Sequence, residues 1–337
     1  MVFILGRKFY GTGVGLLAAG LTALSVIHIQ NSHFFRPETF SVFFTLTSFW
    51  AMWRMLERKR LRDSAILGLM LGLAIAPKVS ILPILAPMFL IYCYRALDEV
   101  EGHWENITLK LMQRILWHAA LAAVIAGGVF FISAPYAILD LRSFVGDLAA
   151  QTEMAGNAGL WPFTIQYIDT PAFIYQIQQS SVWGLGLPLG VVSWGAIPFT
   201  VAAATVSKTA RRADMFLLSW VVPGFVCLET FEVHFLRYVF PLMPVMIMMG
   251  SRMLLWMVFA YRPQGVNRWL HPARMLPGLA VAVSVFVVVS TGFYTLAFQR
   301  VYAQDHPAIT ASEWINSNVP PGTAIAVSYT HLRAHET

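Results

Sequence analysis

The chain has 337 residues, of which 57% are hydrophobic and only 12% are charged, and its mean hydropathy is +0.63. This composition excludes an ordinary soluble domain and is typical of a polytopic membrane protein. The formal net charge of +6 does not indicate nucleic-acid binding, because the Lys and Arg residues occur in short clusters between apolar runs, as in the cytoplasmic loops of membrane proteins.

Apolar runs define the predicted elements. Residues 1–10 form a short mixed segment without the pattern of a cleavable signal peptide, and the first run follows it. Several runs are shorter than the roughly 20 residues that cross about 30 Å of hydrocarbon, so some must extend into polar flanks or be partly inserted. We therefore predict an all-α membrane protein with about nine transmembrane or partly inserted helices, at residues 11–29, 40–53, 65–76, 81–94, 115–132, 182–204, 215–228, 240–259 and 276–296.

The dipeptide Pro77-Lys78 leaves two interpretations of residues 65–94: one broken span, or a hairpin of two short helices with Lys78 at its tip. The positive-inside rule favours the hairpin, because it places every basic cluster on one side of the membrane. The opposite, outer side then receives residues 30–39, Lys78, 133–181, 229–237 and the tail after 298. The basic clusters are Arg7 and Lys8; Arg54, Arg58, Lys59, Arg60 and Arg62; Arg95, Lys110 and Arg114; Lys208, Arg211 and Arg212; Arg262, Arg268 and Arg274.

The outer stretch 27–40, IHIQNSHFFRPETF, places His33, Arg36 and Glu38 directly between two apolar runs. Charged groups are costly at the edge of the hydrocarbon and usually serve a function there. The alternatives are a solvated interfacial histidine and a local salt bridge between Arg36 and Glu38. In the long loop 133–181, aromatic residues that include Trp161 fit either an interfacial belt or the lining of a sugar or lipid cleft.

The order of these pieces resembles the membrane core of the phospholipid-carrier-dependent glycosyltransferases of the GT-C group, which includes protein O-mannosyltransferase-like and aminoarabinose-transferase-like enzymes. The resemblance covers nearly the whole chain and rests on the order and spacing of degenerate motifs. These motifs are GRKFYGTGVGLLAAGLTALSVIHIQNSHFFRPETFSVFFTL at 6–46, LRDSAILGLMLGLAIAPKVSILPILAP at 61–87, WGLGLPLG at 183–190, FLRYVFPLMP at 235–244 and ASEWINSNVPPGTAIAVS at 311–328.

The resemblance implies an inverting transfer of a hexose or pentose from a polyprenyl-phosphate donor to a glycan, lipid or protein acceptor. The reaction is expected at the outer face of a cell membrane, with a prokaryotic plasma membrane favoured, and involves membrane lipid but no nucleic acid. Family members use a carboxylate in a first outer loop, which precedes the span that begins here at residue 11. We therefore expect the first span and the main catalytic carboxylate to lie outside this sequence, so that this fragment could be inactive.

Individual site residues follow from the same motifs. Glu38 occupies the family's secondary acidic position, SHFxxxDxF, with Glu in place of Asp. It is the one residue to which the resemblance offers a role with a divalent metal; no cofactor is certain. Lys78, in APK, matches the position that contacts the donor phosphate; the alternative is a lysine that snorkels to the interface.

Three further residues are predicted at the donor phosphate: Arg237 and Tyr238, at the start of a span, and His33. The alternative for the first two is an interfacial anchor pair. The predicted substrate cleft holds Arg36, Trp161 and Glu232.

The predicted organisation has three parts: a GT-C-like core at 1–298, the start of an outer soluble segment at 299–327, and a non-native tail at 328–337, SYTHLRAHET. The short segment 306–327 is expected to form a helix, a Pro-Pro-Gly turn and the start of a strand. The competing functional hypothesis is a transporter or flippase of a lipid-linked or small anionic substrate, since charged residues in broken membrane helices also mark transport routes.

Overall fold

The structure is a computed structural model that describes residues 1–34, 36–259 and 275–324. Within these ranges the chain is helical and contains no strand, which confirms the all-α class. Its α-helices are α1 Val2–Tyr10, α2 Thr12–Leu24, α3 Val26–His33, α4 Pro37–Arg58, α5 Leu61–Ile75, α6 Leu85–Glu99, α7 Leu109–Ser133, α8 Tyr136–Leu139, α9 Leu141–Gly156, α10 Ile174–Gln179, α11 Leu187–Val206, α12 Arg211–Leu228, α13 Leu236–Val239, α14 Met243–Phe259, α15 Met275–Gln299 and α16 Pro307–Asn318.

The chain divides into two compact units, Met1–Tyr294 and Thr295–Thr337. The described part of the second unit contains the end of α15, a 3₁₀ segment at Arg300–Ala303, and α16. Helix α16 confirms the helix predicted in this segment. The expected strand start near residue 327 and the tail 328–337 lie outside the described residues.

Among the described residues, five helical segments are long and apolar enough to cross a membrane: Val79–Glu99, Leu109–Ser133, Leu187–Val206, Leu236–Phe259 and Pro277–Asn318. A sixth candidate is the pair α2 and α3, which bends by 55° at Ser25. The other three apolar runs also form helices, but α5 has only 15 residues, and α4 and α12 carry charged side chains. The nine predicted runs are therefore all helical, and five or six of them have the length and composition of a complete span.

Ion pairs and a hydrogen bond join residues of several basic clusters to neighbouring helices at one end of the helix bundle. Lys8, at the end of α1, lies 2.6 Å from Glu57 at the end of α4, and Tyr10 donates a hydrogen bond to Asp214 at the start of α12. At the same end, Arg212 of α12 makes a two-pronged pair with Asp98 near the end of α6. Helix α5 begins at Leu61, directly after α4, so its start and the end of α6 lie at the same end of the bundle, as the predicted hairpin requires. Arg262, Arg268 and Arg274 lie outside the described residues.

Helix α1 was not predicted, since its nine residues mix apolar and basic side chains. An isolated helix of this length is unstable in water, so its stability depends on packing. Its partner is Gly15 of α2, where an added Cβ would lie 2.8 Å from the carbonyl oxygen of Phe3. Gly15 thus allows α1 and α2 to pack closely.

The core of the first unit contains aromatic side chains of α4 and α12 that contact each other edge to face. Phe49, Phe216 and Trp220 are almost completely buried, and the Phe49 ring lies 5.3 Å from Phe216 and 5.6 Å from Trp220 in edge-to-face contacts. These contacts fix α4 against α12 and so determine where the first turn of α4 lies.

Helices α5 and α7 pack closely, since an added Cβ at Gly72 would meet the carbonyl oxygen of Ala126 at 2.6 Å and Val129 Cβ at 2.7 Å. We expect Gly72→Ala to lower the free energy of unfolding by about 1–3 kcal/mol, because the helices must move apart. Denaturant titration of the purified protein in detergent micelles measures this. The control is Gly128→Ala on α7, where a Cβ meets nothing within 4 Å. Equal stability of the two variants would contradict the close contact.

Candidate functional site

Glu38 is placed by the start of α4. Pro37 is the first residue of this helix, where its missing N–H is not needed, and Glu38 lies in the first turn, where the helix dipole favours a negative charge. Although it is a carboxylate, Glu38 is only 7% exposed. A buried carboxylate requires compensating positive charge.

Two cations supply that charge from distant parts of the sequence. Lys78 lies in the turn between α5 and the 3₁₀ segment Val79–Ile84, and its Nζ is 3.4 Å from Glu38 Oε1. Arg237 lies on the short helix α13, and its Nε is 3.8 Å from the same oxygen. Glu38 therefore bridges the two cations that were predicted to bind a phosphate.

Tyr238 completes this cluster. The Lys78 ammonium lies 5.4 Å from the centre of the Tyr238 ring, and the Arg237 guanidinium lies 5.7 Å from it. Arg237 is also 4.4 Å from the ring centre of Phe235. These contacts hold the two cationic groups against aromatic faces. We call Glu38, Lys78, Arg237 and Tyr238 the cation cluster.

Opposing effects act on the charge of Lys78. Burial lowers the pKa of the Lys78 ammonium below its ordinary value, and the charge of Arg237 lowers it further. Glu38 raises that pKa through its charge and its hydrogen bond. The carboxylate thus helps to keep Lys78 protonated in a poorly solvated position.

A cavity of about 330 Å³ adjoins Arg237. Arg36 lines the same cavity, together with Asn31 and Gln30 of α3, and Arg36 also lies 5.5 Å from the Phe34 ring. In the described residues no carboxylate pairs with Arg36, so the structure does not support the alternative of a local salt bridge between Arg36 and Glu38. The cavity therefore combines two guanidinium groups with two carboxamides, a set of donors suited to an anion or a sugar.

His33 occupies a different position from the one its sequence neighbours suggested. It lines a second cavity of about 520 Å³, whose wall also includes His28 and Thr22. Residues 27, 30, 31 and 34 face the first cavity and residues 28, 29, 32 and 33 face the second, so the chain from α3 to Phe34 separates the two. This spacing follows the helical period.

An aromatic row leads away from the cation cluster. Phe163 lies between Trp161 and Phe235 in nearly parallel stacking, with ring centres 6.0 Å and 6.5 Å apart. Trp161 and Phe163 are about half exposed, at 46% and 48%. Trp161 thus stays connected to the site through rings, although it lies far from Arg237 in the sequence.

Glu232 acts on this row indirectly. Its Oε2 accepts a hydrogen bond of 3.0 Å from the N–H of Ala158, which anchors the loop that carries Trp161. Its neighbours Glu229 and His234, which the sequence indicated only weakly as outer-face polar residues, are both buried and lie 3.4 Å apart. The sequence shows that they lie close to Arg237 in the chain, but it does not show the loop contacts that bury them.

The residues around Glu38 do not fit a metal ion. In the described ranges no group of three or more His, Cys, Asp and Glu side chains could hold one. Glu38 already faces two cations, and a divalent ion beside them would be repelled. No catalytic step is therefore assigned to a metal at Glu38.

One protein family resembles the first part of the chain. The family model of the dolichyl-phosphate-mannose-protein mannosyltransferases matches residues 1–126. This match supports a GT-C glycosyltransferase-like family. It agrees with a membrane glycosyltransferase of the GT-C kind that is mannosyltransferase-like. The matched range includes Glu38 and Lys78, whereas Arg237 and Tyr238 lie beyond it. No curated protein matches the chain.

The coupling between Glu38 and Lys78 can be tested by titration. Glu38→Gln removes the carboxylate that raises the Lys78 pKa, so Lys78 should lose its proton at lower pH than in the unmodified protein. The pH dependence of acylation of Lys78 by an amine-reactive reagent, followed by mass spectrometry, measures this. Glu57→Gln is the matched control, because Glu57 pairs with Lys8 at the other end of the bundle. An identical Lys78 titration in both variants would disprove the coupling.

Proposed function

We propose that this protein transfers a sugar from a polyprenyl-phosphate donor to an acceptor at the outer face of the membrane. The single observation that carries the proposal is the cation cluster, in which three distant parts of the chain meet around Glu38 Oε1. The family match supports the reaction class. The sugar, the acceptor and the outward orientation of the site are parts of the proposal.

Charge balance favours a phosphodiester as the ligand. Lys78 and Arg237 carry two positive charges and Glu38 carries one negative charge, which leaves one positive charge uncompensated. A polyprenyl phosphosugar carries one negative charge on its phosphodiester. Its oxygens accept hydrogen bonds from an ammonium and from the forked donors of a guanidinium, so the donor neutralises the cluster.

The same cations can assist the chemical step. An acceptor hydroxyl attacks the anomeric carbon of the sugar, the bond from that carbon to the phosphate oxygen breaks, and the phosphate gains negative charge as it leaves. Lys78 and Arg237 stabilise this developing charge in a poorly solvated site, where such interactions are strongest. Glu38, at the secondary acidic position, orients this hydroxyl. The hydroxyl proton passes to the family's main catalytic carboxylate, which the resemblance places in the first outer loop.

The surroundings of the cluster provide space for the sugar and the acceptor. The cavity beside Arg237 has a volume of about 330 Å³, at the lower end of the range for ligand pockets, and Arg36, Gln30 and Asn31 offer hydrogen-bond donors in it. The exposed ring of Trp161 extends the site along the aromatic row. His33, on the wall of the second cavity, is not part of the proposed phosphate site.

Transfer by the complete gene product, reconstituted in lipid vesicles with radiolabelled polyprenyl-phosphate mannose or pentose, tests the reaction. We expect label to appear in a glycan, lipid or protein acceptor, since the cluster stabilises the leaving phosphate. Movement of the labelled donor across the vesicle membrane without any transfer would refute the enzyme and favour a transporter or flippase.

Donor binding tests the phosphate site separately. Lys78→Ala should weaken the binding of a polyprenyl-phosphate sugar about 10- to 100-fold, because a charge-assisted contact worth about 1.5–3 kcal/mol is lost. Equilibrium binding of the radiolabelled donor to the detergent-solubilised protein measures the change. Lys110→Ala is the control, since Lys110 is exposed in the first turn of α7. Unchanged affinity in a folded Lys78→Ala protein would remove Lys78 from the site.

A further inference from the structure

Hydrogen bonds join the segment 229–238, which ends with Arg237 and Tyr238, to the loop 155–176 at several points. The N–H of Val233 donates to the carbonyl of Ala155 at 3.0 Å. The side-chain amide of Gln176 donates to the carbonyl of Phe235 at 3.1 Å. The same segment carries the buried side chains of Glu229 and His234, with 0% and 4% of their surfaces exposed. No predicted function uses them.

The hydrogen bonds around His234 identify which ring nitrogen carries a proton. The hydroxyl of Thr170 donates its single proton to the carbonyl of Tyr167 at 2.8 Å. Its 3.1 Å contact with His234 Nδ1 therefore requires Nδ1 to be the donor. In a neutral imidazole, Nε2 would then present a lone pair.

Nε2 of His234 lies 3.4 Å from Glu229 Oε2 without forming a hydrogen bond. The imidazole and the carboxylate are thus close neighbours in the buried interior, and each holds a different residue of the facing loop. The same Oε2 accepts a hydrogen bond of 2.6 Å from the N–H of Phe173.

The loop that this pair holds has a strained backbone. Asp169 and Phe173 have φ angles of 59° and 64°, in the left-handed region that non-glycine residues rarely adopt. Such residues persist only where the surroundings fix them. Here Thr170 is fixed by His234 and Phe173 by Glu229, so the pair holds both ends of the strained turn.

The loop 155–176 is connected to Arg237 indirectly, through contacts with Phe235. The carbonyl of Phe235 accepts hydrogen bonds from the side-chain amide of Gln176 and from the N–H of Tyr238. The Arg237 guanidinium lies 4.4 Å from the centre of the Phe235 ring. His234 directly precedes Phe235. A shift of the loop 169–176 would therefore move the surface on which the Arg237 guanidinium rests.

We propose that Glu229 and His234 are positioning residues, which fix the loop 169–176 against the segment 229–238 and thereby set the reach of Arg237 toward the donor phosphate. This inference rests on the proposed function and gives a role to residues that do not touch the donor. Glu229→Gln preserves an acceptor for the Phe173 N–H but removes the carboxylate that faces His234.

A double-mutant cycle tests the proposal through the dissociation constant of a radiolabelled polyprenyl-phosphate sugar. Glu229→Gln should weaken donor binding about tenfold in the otherwise unmodified chain, as for residues coupled in one network. In an Arg237→Gln background it should cause no further loss, because the residue through which it acts is gone. A purely structural role would weaken binding by the same factor in both backgrounds, and that result would overturn the proposal.

Two further variants keep the test decisive. Asp63→Asn is the matched control, because Asp63 is a buried carboxylate that pairs with Arg54 at 2.6 Å, at the other end of the bundle. It should lower thermal stability without changing donor affinity. If Glu229→Gln does not fold, Thr170→Val removes the acceptor of the His234 Nδ1 proton and should show the same dependence on Arg237.

The outcomes separate the two proposals. If Arg237→Gln leaves donor binding unchanged, the proposed phosphate site and the positioning role are both wrong. If Arg237→Gln weakens binding and Glu229→Gln adds an equal loss to it, only the positioning role is wrong.

Discussion

The burial of Glu38 between two cations is the interaction on which the arrangement of the site depends. Removing a carboxylate from water costs several kcal/mol of desolvation free energy, and partial burial of Lys78 and Arg237 also has a desolvation cost. Glu38, which is almost fully buried, depends on the positive charge of its two neighbours. The start of α4, the turn after α5 and the start of α13 must therefore converge. Because buried ion pairs contribute little net stability, their presence points to function rather than to folding.

Loop charge was the part of the sequence that predicted topology best. The hairpin around Lys78 followed from the positions of the basic residues, and the ion pairs that join α1, α4, α6 and α12 at one end agree with it. The charges of a loop are a local property, and the rule that governs them acts on each loop separately. The convergence of Lys78 and Glu38 came from the resemblance, since no spacing rule connects residues 40 positions apart.

The contacts between the loops could not be predicted for a physical reason. Glu229, His234 and Thr170 lie in irregular segments, where no period of 2 or 3.6 residues indicates burial. Their hydrogen bonds join positions more than 50 residues apart. By contrast, the opposite orientations of Asn31 and His33 follow from the helical period of α3 and were open to prediction. Grouping His33 with the phosphate ligands relied on its neighbours in the sequence instead of its face of the helix.

The three acidic side chains near Arg237 present the remaining problem, because free carboxylates would repel a phosphate from the site. Each has a different set of partners. Glu38 faces two cations, Glu232 accepts the N–H of Ala158, and Glu229 accepts the N–H of Phe173 and lies 3.4 Å from the His234 imidazole. The carboxylates that hold the loops therefore leave the positive charge of Lys78 and Arg237 available. Acidic residues can build the frame of an anion site when buried N–H groups and a histidine compensate their charge.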